Sequence, residues 1–133
     1  MDSTWYNYVR STVFNGLRKH MKSKYPDMFF TTEEQNGNPP KFPTLYLQEI
    51  ESRKRYTFDK DMPAALNHYM RLYIYSNENS DDAMDMRAEA EDLLLQKYGY
   101  RSTQLPVTVQ NGVYTAMSQV YRMVGAGDKD ITG

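Results

Sequence analysis

His20 and His68 are the only imidazoles in this 133-residue chain, and the chain has no cysteine. The lack of thiols excludes disulfides, thiolate catalysis and Cys-based zinc sites together, and it suits folding in a reducing cytosol. A histidine metal site would need a second ligand at fixed spacing, as in His-Glu-x-x-His, and neither histidine has one. His20 falls within the apolar arc of a first helix and His68 on the aliphatic side of a strand, so both read as satisfied core or boundary residues. The carboxylates of residues 78–92 resemble a cluster, but a solvated helix face accounts for Asp81, Asp85, Glu89 and Asp92, and an EF-hand would need a Gly at its sixth loop position and a terminal Glu. There is no Gly-x-Ser-x-Gly elbow and no phosphate-binding Gly loop, since Gly125-Ala126-Gly127 follows a strand without room for a helix after it. The expectation is a protein that is not an enzyme and uses neither cofactor nor metal. One segment, Arg53-Lys54-Arg55 with Tyr56 and Phe58, has the basic and aromatic make-up of a nucleic-acid contact. An exposed loop between strands is the favoured explanation, and a functional contact could equally be with protein.

The elements that carry these residues follow from periodicity. Trp5, Val9, Val13, Leu17 and Met21 recur every fourth residue, with Tyr6 and Phe14 widening the stripe, which predicts a helix capped by Asp2 or Ser3 and running to about Lys24. Tyr25-Pro26 ends it. Its outer face carries Ser11, Asn15, Arg18, Lys19 and Lys22 and is basic. Met28 to Glu33 reads as a short strand and Phe42 to Glu51 as a second, together a hairpin across Asn36 to Pro40. The segment from Arg53 to Pro63 reads as a loop or projecting hairpin. Asn77 to Ser80 supplies cap candidates for a second helix to about Tyr98, with acids in its first turn and Gly99 as its stop. Ala83, Met86, Ala90, Leu93 and Leu94 form its apolar face. Pro106 to Gln110, Asn111-Gly112 and Val113 to Val124 form a hairpin with a type I′ turn.

The strand from Leu66 to Ser76 has two bulky faces. Leu66, His68, Met70, Leu72 and Ile74 alternate with Tyr69, Arg71, Tyr73 and Tyr75. Two helices can cover the aliphatic side, which leaves the tyrosine side for a subunit or tube interface. On the second helix a third, thinner stripe of Met84, Ala88 and Leu95 is a further contact candidate. The helices carry opposite charge on their outer faces, so Arg18 or Lys22 of one subunit could approach Asp85, Glu89 or Asp92 of the next. The same charges could equally pair within one chain. Sixteen basic against seventeen acidic residues give no bulk field toward nucleic acid or membrane, and no run approaches the ~20 apolar residues that span a bilayer.

Lys41-Phe42-Pro43-Thr44-Leu45, Leu72-Tyr73-Ile74-Tyr75-Ser76-Asn77 and Ser118-Gln119-Val120-Tyr121-Arg122-Met123-Val124 occur in an order, and at a chain length, that resembles the tail terminator and tail-completion proteins of long-tailed bacteriophages. The likeness covers most of residues 5–125. It implies an α+β fold, an antiparallel-dominated sheet with helices on it, assembled as a ring of usually six subunits. Such a ring would stop tube polymerisation, would contact the major tail tube protein and a head-tail connector or head-closure protein, and would let DNA pass its lumen without sequence-specific binding. Virion location, with assembly in the host cytoplasm, follows from the same likeness. Joined to the elements above, the expectation is one domain over residues 1–125, a sheet of four to five strands with two α-helices on one face, and a flexible tail over 126–133. Arg53, Lys54 and Arg55 gain no role by matching. Another neck component, or a small nucleic-acid-binding module, is the alternative.

Overall fold

A computed structural model describes residues 4–33, 39, 41–50, 53–56, 63–125 and 128, with side chains from residues 8–33, 39, 41–50, 67–125 and 128. The predicted caps Asp2 and Ser3, the side chains of Trp5, Tyr6, Leu66 and Arg53 to Arg55, and the tail apart from Asp128 lie outside that description. The first helix, α1 (Thr4–Lys24), buries Val9, Val13, Leu17 and Met21 completely, as the four-residue repeat requires. β1 (Phe29–Thr31) and β2 (Thr44–Glu49) follow, then β3 (Arg53–Tyr56), β4 (Pro63–Ser76) and the second helix, α2 (Ser80–Tyr98). β5 (Arg101–Gln104), β6 (Thr108–Gln110) and β7 (Val113–Gly125) complete the chain. Asn79 caps α2 by accepting the Asp82 amide at 2.8 Å, and Gly99, at φ 73°, closes its other end in the left-handed region.

The architecture is α+β, a seven-stranded sheet with both helices on one face. The sheet order is β1-β2-β4-β7-β5, with β3 pairing β4 and β6 pairing β7. β7 occupies one edge of β4 from Ala65 to Ser76, so β3 must extend β2 along the other edge. By the same reasoning β6 extends β5, and the seven segments fill five rows. β4 spans 14 residues, roughly 45 Å at ~3.3 Å per residue, and is the axis of the molecule. Of the two readings for the segment from Arg53, the strand pairing holds: β3 runs antiparallel to the start of β4, with Arg53 opposite Asn67 and Arg55 opposite Ala65.

Two expectations are corrected. β1 and β2 do not form a hairpin, because Phe29, Phe30 and Thr31 pair in parallel register with Thr44, Leu45 and Tyr46. The twelve residues from 32 to 43 are long enough to return the chain to the same end, which a tight turn would not do. Sequence pattern also missed β5, an all-exposed edge strand of Arg, Ser, Thr and Gln with no apolar alternation to mark it. The β6–β7 turn does take the expected form, with Asn111 at φ 54° and Gly112 at φ 79°. One core lies between helices and sheet, where Leu45, Leu47, Met70, Leu72, Ile74, Ala116, Val120 and Val124 meet α1 and the Ala83, Met86, Ala90, Leu94 face of α2.

Candidate subunit interface

Most polar groups inside the core are hydrogen-bonded within the chain, although the buried Arg87 Nε has no partner among the described residues. His68 is 1% exposed, and its Nε2 lies 2.9 Å from both Glu49 carboxylate oxygens, which fixes a proton on that nitrogen. In the neutral ring Nδ1 then accepts from the Tyr100 hydroxyl at 2.5 Å. Arg10 Nε also lies 3.6 Å from Glu49 Oε1. Buried Glu91 accepts from Gln104 at 2.6 Å and Ser118 at 2.7 Å, and buried Arg87 donates to the Leu105 and Met117 carbonyls at 2.7 and 3.0 Å. These bonds lock α2 onto β5 and β7. No group of three or more His, Cys, Asp or Glu side chains that could hold a metal occurs among the described residues.

His20 is a boundary residue. Its Nε2 lies 2.7 Å from Glu89, which Lys24 also reaches at 3.0 Å, so Glu89 joins α2 to α1 within one chain. The hydrogen bonds from His20 and then Lys24 hold the Glu89 carboxyl below the usual carboxylate range. Glu89 therefore pairs within the chain, the intramolecular alternative open for these two helices. Asp81, Asp85 and Asp92 are exposed and form no ion pair among the described residues, and Arg18 and Lys22 are exposed on the outer side of α1. Tyr25 lines a cavity of about 350 Å³ with Phe42, Glu78, Asp82 and Asp85, and burial followed by the nearby Glu89 and Asp85 charges raises its hydroxyl pKa.

The tyrosine face of β4 divides in two. Tyr75, only 2% exposed, is corrected as an interface residue: Tyr46, Val113 and Phe42 pack around it, so the chain covers this end itself. Tyr73 is half-buried in the same row, stacked on Tyr46 at 5.1 Å and on Tyr75 at 6.1 Å between ring centres. The other end is open. Tyr69 stacks on Tyr121 across the β4–β7 ladder at 6.2 Å, both are 38% exposed, and Met123 beside them is 56% exposed. Tyr121 and Met123 were legible as outward positions of β7 but were not singled out in the sequence.

Arg71 lies between Tyr69 and Tyr73, opposite Gln48 of β2 and Gln119 of β7. Its Nε is buried and has no hydrogen-bond partner among the described residues. Arg101, on β5, is exposed opposite Tyr121. The described strand positions on this side include no aspartate or glutamate. The second open surface is the predicted α2 stripe, where Met84 is 38% and Leu95 50% exposed and Ala88 is also exposed. At about 100° per residue the stripe adjoins the ridge of Asp81, Asp85 and Asp92, away from the sheet.

No helix among the described residues is long and apolar enough to cross a membrane. Comparison with protein-family models gives no match for this chain, and comparison with curated proteins gives none either.

Proposed function

We propose that this chain is a structural subunit of a bacteriophage neck, a ring at the head-proximal end of a long tail that stops tube growth and joins the tail to the head connector. The observation that carries the reading is the open outer face of the sheet at Tyr69, Tyr121 and Met123. An α+β layer pair normally buries the bulky side of its central strands, and here that side continues beyond the part the chain covers for itself. A subunit contact supplies the missing cover. The α2 stripe of Met84, Ala88 and Leu95 is a second, different surface, and two unlike surfaces on one subunit suit head-to-tail rings. The resemblance of the motif order to that of tail terminators supports the virion context, with the tail tube protein and a connector or head-closure protein as the other partners.

Negative-stain images of the purified protein, alone and with tail tubes, test this directly. Closed rings of one diameter, with a central opening and seated on tube ends, are expected. Isolated monomers at all concentrations and bare tube ends would overturn the proposal. The arginine and tyrosine face, whose described strand positions include no carboxylate, favours one second reading, a single-stranded nucleic-acid platform, which salt-sensitive oligonucleotide binding by the purified chain would support.

A further inference from the structure

The outer sheet face and the outer ridge of α2 match each other in two respects. Each has an apolar strip: Tyr69, Tyr121 and Met123 on the sheet, Met84, Ala88 and Leu95 on the helix. Among the described residues each strip is flanked by charge of one sign, Arg71 and Arg101 on the sheet and Asp81, Asp85 and Asp92 on the helix. None of these five charged groups has an ion-pair partner among the described residues, whereas Glu89, on the α1 side of the same helix, is already paired. The buried Nε of Arg71 is an unmet donor at the centre of the sheet face, and an arginine among tyrosines is the composition of an interface hot spot.

We infer that the occupant of the outer sheet face is a second copy of this chain, which lays the Met84–Ala88–Leu95 stripe of its α2 over Tyr69, Tyr121 and Met123 and brings Asp85 or Asp92 to Arg71. The contact is heterologous, sheet face of one copy to helix ridge of the next, and so propagates from subunit to subunit. It completes a helix–sheet–helix sandwich across the subunit boundary. The inference rests on the ring reading and specifies which surfaces close the ring. Arg18 and Lys22, on the outer side of α1, take no part in this contact.

The chain's lack of cysteine makes crosslinking clean. One preparation carries Tyr121→Cys and another Ala88→Cys. Mixed and oxidised, they should give a disulfide-linked heterodimer, and a chain carrying both changes should give a ladder of oligomers. Charge exchange is the second arm. Arg71→Glu alone and Asp92→Arg alone should each weaken self-association at least ~30-fold, as expected when one partner of an interfacial charge pair is reversed. Mixing these two variants should restore it, because each sheet face then meets a complementary ridge. Rings that persist by light scattering without a disulfide between the two substituted positions, and without sensitivity to either charge change, would overturn this pairing and leave the ring reading intact. A protein that stays monomeric and gives no crosslink would overturn both. Oligonucleotide binding by a monomer that is abolished in Arg71→Glu would reassign the face to nucleic acid.

Discussion

Replacing Gly16 by alanine sets two magnitudes against each other. Gly16 lies in the interior of α1, where alanine would by propensity alone stabilise the helix by about 1 kcal/mol. A Cβ at this position would meet the Tyr98 hydroxyl oxygen at 1.8 Å and its Cζ at 2.8 Å. Tyr98, from the last turn of α2, is 4% exposed, and its hydroxyl donates to the Thr12 carbonyl at 3.3 Å. The buried ring cannot move aside freely, so the added methyl forces the two helices apart or the tyrosine out of its rotamer. Overpacking of this kind costs about 1–3 kcal/mol, and losing the partner of a buried hydroxyl about 1 kcal/mol more. After the propensity gain, Gly16→Ala should destabilise by roughly 1–3 kcal/mol. Urea unfolding of the wild type, Gly16→Ala, Tyr98→Phe and the double variant measures this as a cycle. Tyr98→Phe removes the 1.8 Å overlap but leaves the one at Cζ, so the double variant should be more stable than the sum of the singles and still below wild type. Stabilisation by about 1 kcal/mol in Gly16→Ala, or simple additivity, would refute the α1–α2 packing described here.

Tyr100→Phe strips the donor from Nδ1 of fully buried His68 and should cost about 1–3 kcal/mol in the same unfolding assay, with His68→Phe no rescue because Glu49 then loses its hydrogen bond from His68. Glu89 has a folded-state pKa depressed below its unfolded value by His20 and Lys24, so its contribution is present above the unfolded pKa and lost as pH falls through the folded one. Glu89→Gln should therefore be about 0.5–1 kcal/mol less stable than wild type at about pH 7, with the gap closing below about pH 4. A gap that stays constant down to about pH 3 would contradict that pairing. Asn79→Ala should lower stability by about 1 kcal/mol through loss of the α2 cap, and Asn79→Asp should retain it, both read from thermal unfolding.

What was legible in the sequence was what local pattern controls. Val9, Val13, Leu17 and Met21 announce α1 because a fully buried stripe must repeat with the helix, and Asn111-Gly112 announces its turn because both residues take positive φ. Direction of pairing is not local: the short run Phe29 to Thr31 reads the same whether its neighbour is parallel or antiparallel. Arg101 to Gln104 is polar because an outermost strand need bury nothing, which removes its signature. The Glu49–His68–Tyr100 cluster joins β2, β4 and the turn after α2, so no spacing along the chain could reveal it. The split of the tyrosine face was hidden for the same reason, since the residues that cover Tyr75 come from the start of β2 and of β7.

The central claim is that the uncovered half of the β4–β7 face is a contact between copies of this chain. Multi-angle light scattering on the purified protein across a wide concentration range tests it most directly. A discrete assembly at a fixed multiple of the subunit mass, with six expected, should form at high concentration and dissociate in Arg71→Glu. A constant monomer mass for the unaltered protein over the whole range would contradict it.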